Sequence, residues 1–324
     1  MKTRKEFNVV FMGTPDFAVP SLELLYHSGY SVPAVVTAPD KPAGRGLKMH
    51  SSAVKKWASQ QNIHVLQPPN LKDEGFRNSL GSLLPDLFVV VAFRMLPESI
   101  WKLPVHGAIN LHASLLPQYR GAAPINHAVI HGETTTGLTT FFINQAIDTG
   151  NILFQQALPI GYDETAGELH DRLMIAGSEL VLKTVDAIRE GRAVSIEQSA
   201  FLKQGAELRT APRIYRDDCR LNWSRETKDI YNQIRGLSPW PAAFTTIFSP
   251  EGNAYELKIY RSQPSEKKMS GRAGEIVVQN NQQMYIVTGN GAIELLKIKL
   301  AGKSEISVKE FLKGFRIGAG WKAE

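Results

Sequence analysis

The 324-residue chain is 43% hydrophobic and 21% charged, a balance that belongs to folded, water-exposed proteins and excludes disordered and fibrous classes. At this length two domains are the default expectation, each large enough to bury its own core. The net charge of +6 is unevenly spread: residues 1–202 carry 17 Lys/Arg against 18 Asp/Glu, whereas residues 203–324 carry 20 against 13, so an acidic partner is expected at the C-terminal part. A single cysteine, Cys219, excludes an intrachain disulfide and a thiolate metal cluster. No segment approaches the roughly 20 apolar residues of a membrane span, and the apolar run after the basic N-terminus is too short for a secretory signal. Membrane association is therefore not expected, and the cytoplasm is the expected compartment.

In chain order, Phe7–Gly13, Ser31–Ala38 and Asp86–Ala92 are short, almost continuous apolar runs rich in Val, the pattern of strands covered on both faces of a parallel sheet. Helical patterns over Pro20–His27, Ser51–Gln61 and Asp73–Leu84 separate them, with Ser51 or Ser52 placed to cap the second. Alternating strands and helices predict an open, Rossmann-like parallel α/β sheet, whose ligands bind outside the carboxyl ends of the strands. Gly137–Ile143 and Asn151–Pro159 continue the strand series, and Thr165–Arg189 is a long helix that closes a domain of residues 1–190. Residues 191–211 are polar and irregular and read as a linker. Residues 212–324 hold short strand-like runs at Asp218–Trp223, Ala243–Phe248, Tyr255–Tyr260, Ala273–Val278, Met284–Thr288 and Ala292–Leu300, which predict a small β-barrel of oligonucleotide-binding type.

Gly13 follows the first strand but no G-x-G-x-x-G follows it, which disfavours a nicotinamide enzyme. Neither G-x-x-x-x-G-K-[ST] nor H-E-x-x-H occurs, and Ser114 lacks the G-x-S-x-G context of a hydrolase nucleophile. What remains is Asn110, His112 and Asp148. On an extended strand, residues two apart share a face, so Asn110 and His112 project together while Ile109 and Leu111 enter a core. An imidazole can take a proton at neutral pH, an amide N–H can hold a developing oxyanion, and a carboxylate can orient or charge the imidazole. Together they suit attack by an amine on a carbonyl, although each alone is as readily a packed polar residue or a turn former.

The stretch INLHASLLPQYRGAAPI (Ile109–Ile125), followed by IDTG (Ile147–Gly150), resembles the active-site signature of the folate-dependent formyltransferases. MGTPDFAVPSL at Met12–Leu22, TAPDKPAGRG at Thr37–Gly46 and the Pro-Trp-Pro within Ser238–Pro241 resemble the tRNA-dependent branch of that family, and the similarity runs over nearly the whole chain. The resemblance implies transfer of a formyl group from 10-formyltetrahydrofolate to the amino group of methionine on the initiator tRNA, by a monomer that needs no metal. It implies that Asn110 stabilises the oxyanion, that His112 shuttles a proton or adds positive charge beside it, and that Asp148 orients or charges His112. Ser114, Leu115, Leu116 and Pro117 match the family's folate-contacting loop, and for the two leucines packing is an equal reading. Lys41, Arg45 and Lys48 match a loop that reaches the tRNA acceptor end, with Arg45 foremost. Arg213, Arg216, Arg220, Arg225, Lys228 and Arg235 are expected to face the same tRNA. The family's usual VAYG is VAFRM here at Val91–Met95, which places Phe93 and Arg94 near the pterin and alters the folate contacts of that loop. The alternative, a formyltransferase for an amino sugar nucleotide or a purine precursor, is disfavoured by the PAGRG loop and by the basic C-terminal part.

Overall fold

The computed structural model describes residues 1–43, 48–202, 207–267, 269 and 271–324. Along the chain run β1 (Val9–Gly13), α1 (Val19–His27), β2 (Ala34–Val36), β3 (Lys41–Ala43), β4 (Lys48–His50), α2 (Ala53–Gln60), β5 (His64–Leu66), α3 (Glu74–Ser82), β6 (Leu87–Val91) and α4 (Glu98–Trp101). They are followed by β7 (Ala108–His112), β8 (Arg120–Gly121), α5 (Pro124–Ile130), β9 (Thr135–Phe142), β10 (Ile152–Pro159), α6 (Ala166–Arg189) and β11 (Thr210–Ala211). The chain divides into two compact units, the first made of Met1–Gly121, Thr136–Pro159 and His170–Ala211, the second of Ala122–Thr135, Ile160–Leu169 and Pro212–Glu324.

In the first unit a seven-stranded sheet has the order β10-β9-β7-β6-β1-β2-β5. The strands from β5 to β7 pair in parallel, and β7 pairs antiparallel with β9. Every residue of β1 and β6 is buried, as expected for strands covered on both faces. Val10, Met12, Phe88 and Val90 build one apolar layer with Phe76, Leu80 and Ile100 of the helices. Helix α2 begins where the sequence places a cap, with the Ser52 hydroxyl accepting from the Lys55 N–H at 3.0 Å, and α3 is capped by the Asp73 carboxylate, which accepts from the Phe76 N–H at 2.8 Å. Gly177 brings α6 close to β7 and β9, since a Cβ there would stand 2.8 Å from Leu111 Cδ2.

The described part of residues 191–211 is bonded into this unit. Ile196 bridges Ile152, and Thr210 and Ala211 pair with Arg120 and Gly121. The Gln118 side chain donates to Glu207 O and accepts from the Arg209 N–H. Polarity of sequence marks an exposed path here, since backbone groups rather than a packed apolar face hold the segment.

In the second unit α7 (Thr227–Leu237), β12 (Ala243–Phe248), β13 (Ala254–Pro264), β14 (Ile276–Gln279), β15 (Gln283–Val287), β16 (Ala292–Leu300), β17 (Ile306–Ser307), α8 (Val308–Gly314) and β18 (Lys322–Ala323) follow in order. The sheet order is β14-β15-β16-β13-β12-β18. A bridge from Glu275 to Lys322 joins its two ends, so the sheet closes into the expected barrel. Its interior is Leu221, Trp223, Ile230, Ile234, Ile247, Leu257, Ile286 and Ile298, with the Trp223 indole N–H on Thr245 Oγ1 at 2.9 Å. The α5 segment belongs here: Asn126 donates to Gly236 O at 2.8 Å, and a Cβ on Gly236 would lie 2.5 Å from Ile130.

One expected strand is absent. Asp218–Trp223 begins inside a 3-10 turn over Asp217–Cys219, and Arg220 makes only a single bridge to Phe244. Leu221 and Trp223 do alternate inward, which is the pattern the sequence shows, but Asp218 spends its carboxylate on the Tyr215 N–H and turns the chain.

Candidate active site

Strand β7 delivers Asn110 and His112 from one face, in register with Phe141 and Thr139 of β9. Asn110 is half-buried and His112 is 6% exposed. The His112 ring is hydrogen-bonded at one nitrogen and faces a carboxylate with the other. Nε2 lies 2.9 Å from the carbonyl oxygen of Tyr119, and because a carbonyl only accepts, Nε2 carries a proton. Nδ1 faces Asp148 Oδ2 at 3.7 Å.

Asp148 sits in left-handed backbone at φ +54°, a conformation that Asp and Asn adopt more readily than most residues. Its Oδ2 accepts the Gly121 N–H at 3.0 Å. Gly121 is itself at φ +129°, and a Cβ on it would stand 2.3 Å from Ala211 O, so only glycine fits where β8 meets β11. Gly150, two residues beyond Asp148, has no more room: its Cβ would overlap the Phe142 carbonyl.

The loop between β7 and β8 is tied down from within. Ser114 donates to Gln118 O at 2.6 Å, Thr139 donates to Ser114 O at 2.7 Å, and Gln155 donates to Leu116 O at 2.8 Å. Ser114 and Pro117 are buried, Leu116 packs on Phe141 and Ile152, and Leu115 is half-buried against Gly137. These four residues thus form the inner wall of the loop, and its rigidity comes from bonds that the sequence does not display. Thr139 and Gln155 leave no trace in the sequence, because strand residues of ordinary type carry no motif. Gln198, from the segment read as a linker, donates to both Asp148 O and Gly150 O and accepts from Arg120.

At the end of β6, Ala92 takes φ +49° and Phe93 packs on the apolar layer below it. The Arg94 guanidinium donates to Pro68 O at 2.8 Å and Pro69 O at 3.2 Å, and burial pushes its pKa below the usual arginine value. Arg94 thereby replaces the expected glycine with a brace between two loops. Lys41 is exposed on β3, which pairs with β4 through Lys41 opposite His50 and Ala43 opposite Lys48. Arg45 lies outside the described residues.

In the second unit the expected basic face needs one correction. Arg235 is 7% exposed, donates to Asn232 Oδ1 and Glu164 O, and is pushed below its usual pKa by burial. It braces α7 instead of facing a partner, because every residue of the helix from Ile230 to Leu237 is buried and Arg235 lies one turn beyond buried Tyr231. Arg213, Arg216, Arg220, Arg225 and Lys228 remain at the surface, Arg216 paired with Glu256 and Arg225 with Asp229.

The family model described as "Formyl transferase" matches residues 7–185, and "Formyl transferase, C-terminal domain" matches residues 213–316. A methionyl-tRNA formyltransferase of Bacteroides thetaiotaomicron is 46% identical over 319 residues, 98% of this chain and 99% of that protein. The chain belongs to the formyl transferase family, on its methionyl-tRNA formyltransferase branch. Two solved structures share the fold at lower identity. An N-formyltransferase from Helicobacter canadensis, in complex with folinic acid and dTDP-3-aminofucose, superposes with a TM-score of 0.63 at 19% identity, covering 89% of this chain and 98% of that one. HypX from Aquifex aeolicus in complex with tetrahydrofolic acid gives a TM-score of 0.63 at 16% identity, covering 97% of this formyl transferase, which spans 50% of the length of HypX.

Proposed function

We propose that this formyl transferase moves the formyl group of 10-formyltetrahydrofolate onto the amino group of methionine carried by the initiator tRNA, acting as a monomer in the cytoplasm. The observation that carries the reading is the oriented imidazole: Nε2 is fixed by the Tyr119 carbonyl and Nδ1 faces Asp148, on the same strand face as the Asn110 amide. Attack of an amine on a formyl carbon puts negative charge on the formyl oxygen and leaves a proton to remove from the nitrogen; collapse of that intermediate breaks the bond from the formyl carbon to the folate nitrogen, which takes up a proton as tetrahydrofolate leaves. In this reading the Asn110 amide N–H donates to that oxygen. His112 carries positive charge beside it, and Asp148 stabilises the charged ring and passes the amine proton on through water. The donor set suits such chemistry, since a neutral amide and a proton-exchanging imidazole meet on one strand face. Folate supplies the activated one-carbon unit, and Ser114, Leu115, Leu116 and Pro117 set the loop that borders it. Lys41, Arg45 and Lys48 meet the phosphates of the tRNA acceptor end, and the exposed arginines of the second unit add non-specific attraction.

The test is formation of formyl-methionine from 10-formyltetrahydrofolate with methionine-charged initiator tRNA, against free methionine and methionine-charged elongator tRNA. Product from the initiator alone supports the reading. Product only from an amino sugar nucleotide or a purine precursor would replace it.

A further inference from the structure

We infer that Gln198 is a positioning residue for Asp148, a role that rests on the reaction proposed above. The side chain is 5% exposed, and its amide is used at every valence. Nε2 donates to Asp148 O and to Gly150 O, both at 2.9 Å, while Oε1 accepts Arg120 Nε at 3.1 Å and Arg120 Nη2 at 2.6 Å. Two donors and two lone pairs exhaust what a primary amide offers. The partners also fix which way it points, since the reverse orientation would set an NH2 against a guanidinium and an oxygen against two carbonyls.

These bonds close a ring around one residue. Gln198 grips the main-chain carbonyl of Asp148 directly. Through the Arg120 side chain it also restrains the β8 backbone, whose next residue, Gly121, holds the Asp148 carboxylate at 3.0 Å. Main chain and side chain of Asp148 are therefore anchored to a single amide. Asp148 and Gly150 bracket a turn with left-handed backbone at φ +54°, a conformation that persists only where its surroundings impose it. Gln198 supplies two bonds that impose it. The consequence is the separation of Asp148 Oδ2 from His112 Nδ1, which a relaxed turn would change.

Gln198 touches neither the imidazole nor, in this reading, any substrate. Its loss should lower kcat and spare KM. In the full chain, Gln198→Met keeps the shape and removes all four bonds. Gln198→Glu keeps acceptors for Arg120 and loses the donors to the two carbonyls. Each is expected to lower kcat by about 10- to 100-fold, the size of effect that small misplacements in an active site produce. KM for 10-formyltetrahydrofolate and for charged tRNA should stay within about 2-fold, and in an Asp148→Asn background the same changes should cost no more than about 2-fold in residual turnover, because their effect runs through Asp148.

A kcat for Gln198→Met within about 2-fold of the parent overturns the inference, as does an equal loss in the parent and Asp148→Asn backgrounds, which is how independent sites behave. Should Gln198→Met fail to fold, Arg120→Met releases the acceptor end alone and must show the same non-additive loss with Asp148→Asn. Failure of the underlying reading is visible separately, as a parent chain that makes no formyl-methionine or an Asp148→Asn chain that turns over like the parent.

Discussion

Asp148 Oδ2 and His112 Nδ1 stand 3.7 Å apart, beyond hydrogen-bond reach and close enough for a charged ring to feel the carboxylate. Asp148→Asn is the informative change, because Asn tolerates the same left-handed backbone and removes only the charge. Turnover is expected to fall by about 10²- to 10⁴-fold, the usual share of a positioned acid–base group, with the thermal midpoint unchanged. Asn110→Ala should cost about 10²- to 10³-fold if the amide serves the oxyanion. Steady-state kinetics beside a melting curve decides both, and near-parental turnover in either variant removes that residue from the mechanism.

Gly121 admits no side chain. With φ at +129° and Ala211 O 2.3 Å from where a Cβ would sit, Gly121→Ala must part β8 from β11 and pull the N–H away from Asp148. Backbone strain alone is about 1–3 kcal/mol at such a position. Thermal unfolding should show a lower midpoint and the assay a lower kcat. A variant with parental stability and turnover would mean that the β8–β11 pairing is dispensable.

Acid stability should depend on Asp186. Burial alone would raise its pKa, but hydrogen bonds from Tyr30 and Arg4 and the charges of Arg4 and Arg189 outweigh that and hold it below the ordinary carboxylate value. A carboxylate depressed in the folded state stabilises above its unfolded pKa, and that contribution drains away as pH falls through the folded one. Asp186→Asn is expected to cost about 1–3 kcal/mol near neutral pH, since it strips a charged acceptor from Arg4 and Tyr30. Denaturation as a function of pH should show this gap narrowing below about pH 3.9, the unfolded value. A gap that stays constant down to about pH 2, well below that unfolded value, would assign the effect to packing.

The cations of the proposed tRNA loop and the buried Arg235 should separate cleanly. Arg45→Ala and Lys41→Ala are expected to raise KM for charged tRNA, leave KM for folate unchanged, and flatten the salt dependence of tRNA binding by about one unit for each phosphate no longer engaged. Arg235→Met should leave the salt slope intact and lower the unfolding midpoint, because Asn232 and the Glu164 carbonyl lose their donor. A flattened slope from Arg235→Met would return that residue to the tRNA face.

The parallel sheet and the start of α2 were legible because they are written in short-range patterns: Val-rich runs for β1 and β6, Ser52 ahead of its helix, and alternation along β7. The candidate trio was legible as residue types. What holds it was not. Gln198 and Gln155 are ordinary glutamines far along the chain, and their value lies in carbonyls that only the folded backbone brings to them. The same limit hid β8 and β11, two residues each, which carry no periodicity. Helix α7 did carry a signal, with Ile230, Ile234 and Leu237 spaced for one face, but its charged neighbours drew attention to partners instead of packing.

The second unit draws on Ala122–Thr135 and Ile160–Leu169 as well as the C-terminal third. Helix α5 must therefore leave the ribosome well before α7, the helix on which it packs, has been made. Until then its apolar face waits without a mate, so this unit cannot mature step by step with synthesis. A stop codon placed after β10 would likewise leave α5 permanently without α7, the kind of exposed apolar surface that invites aggregation.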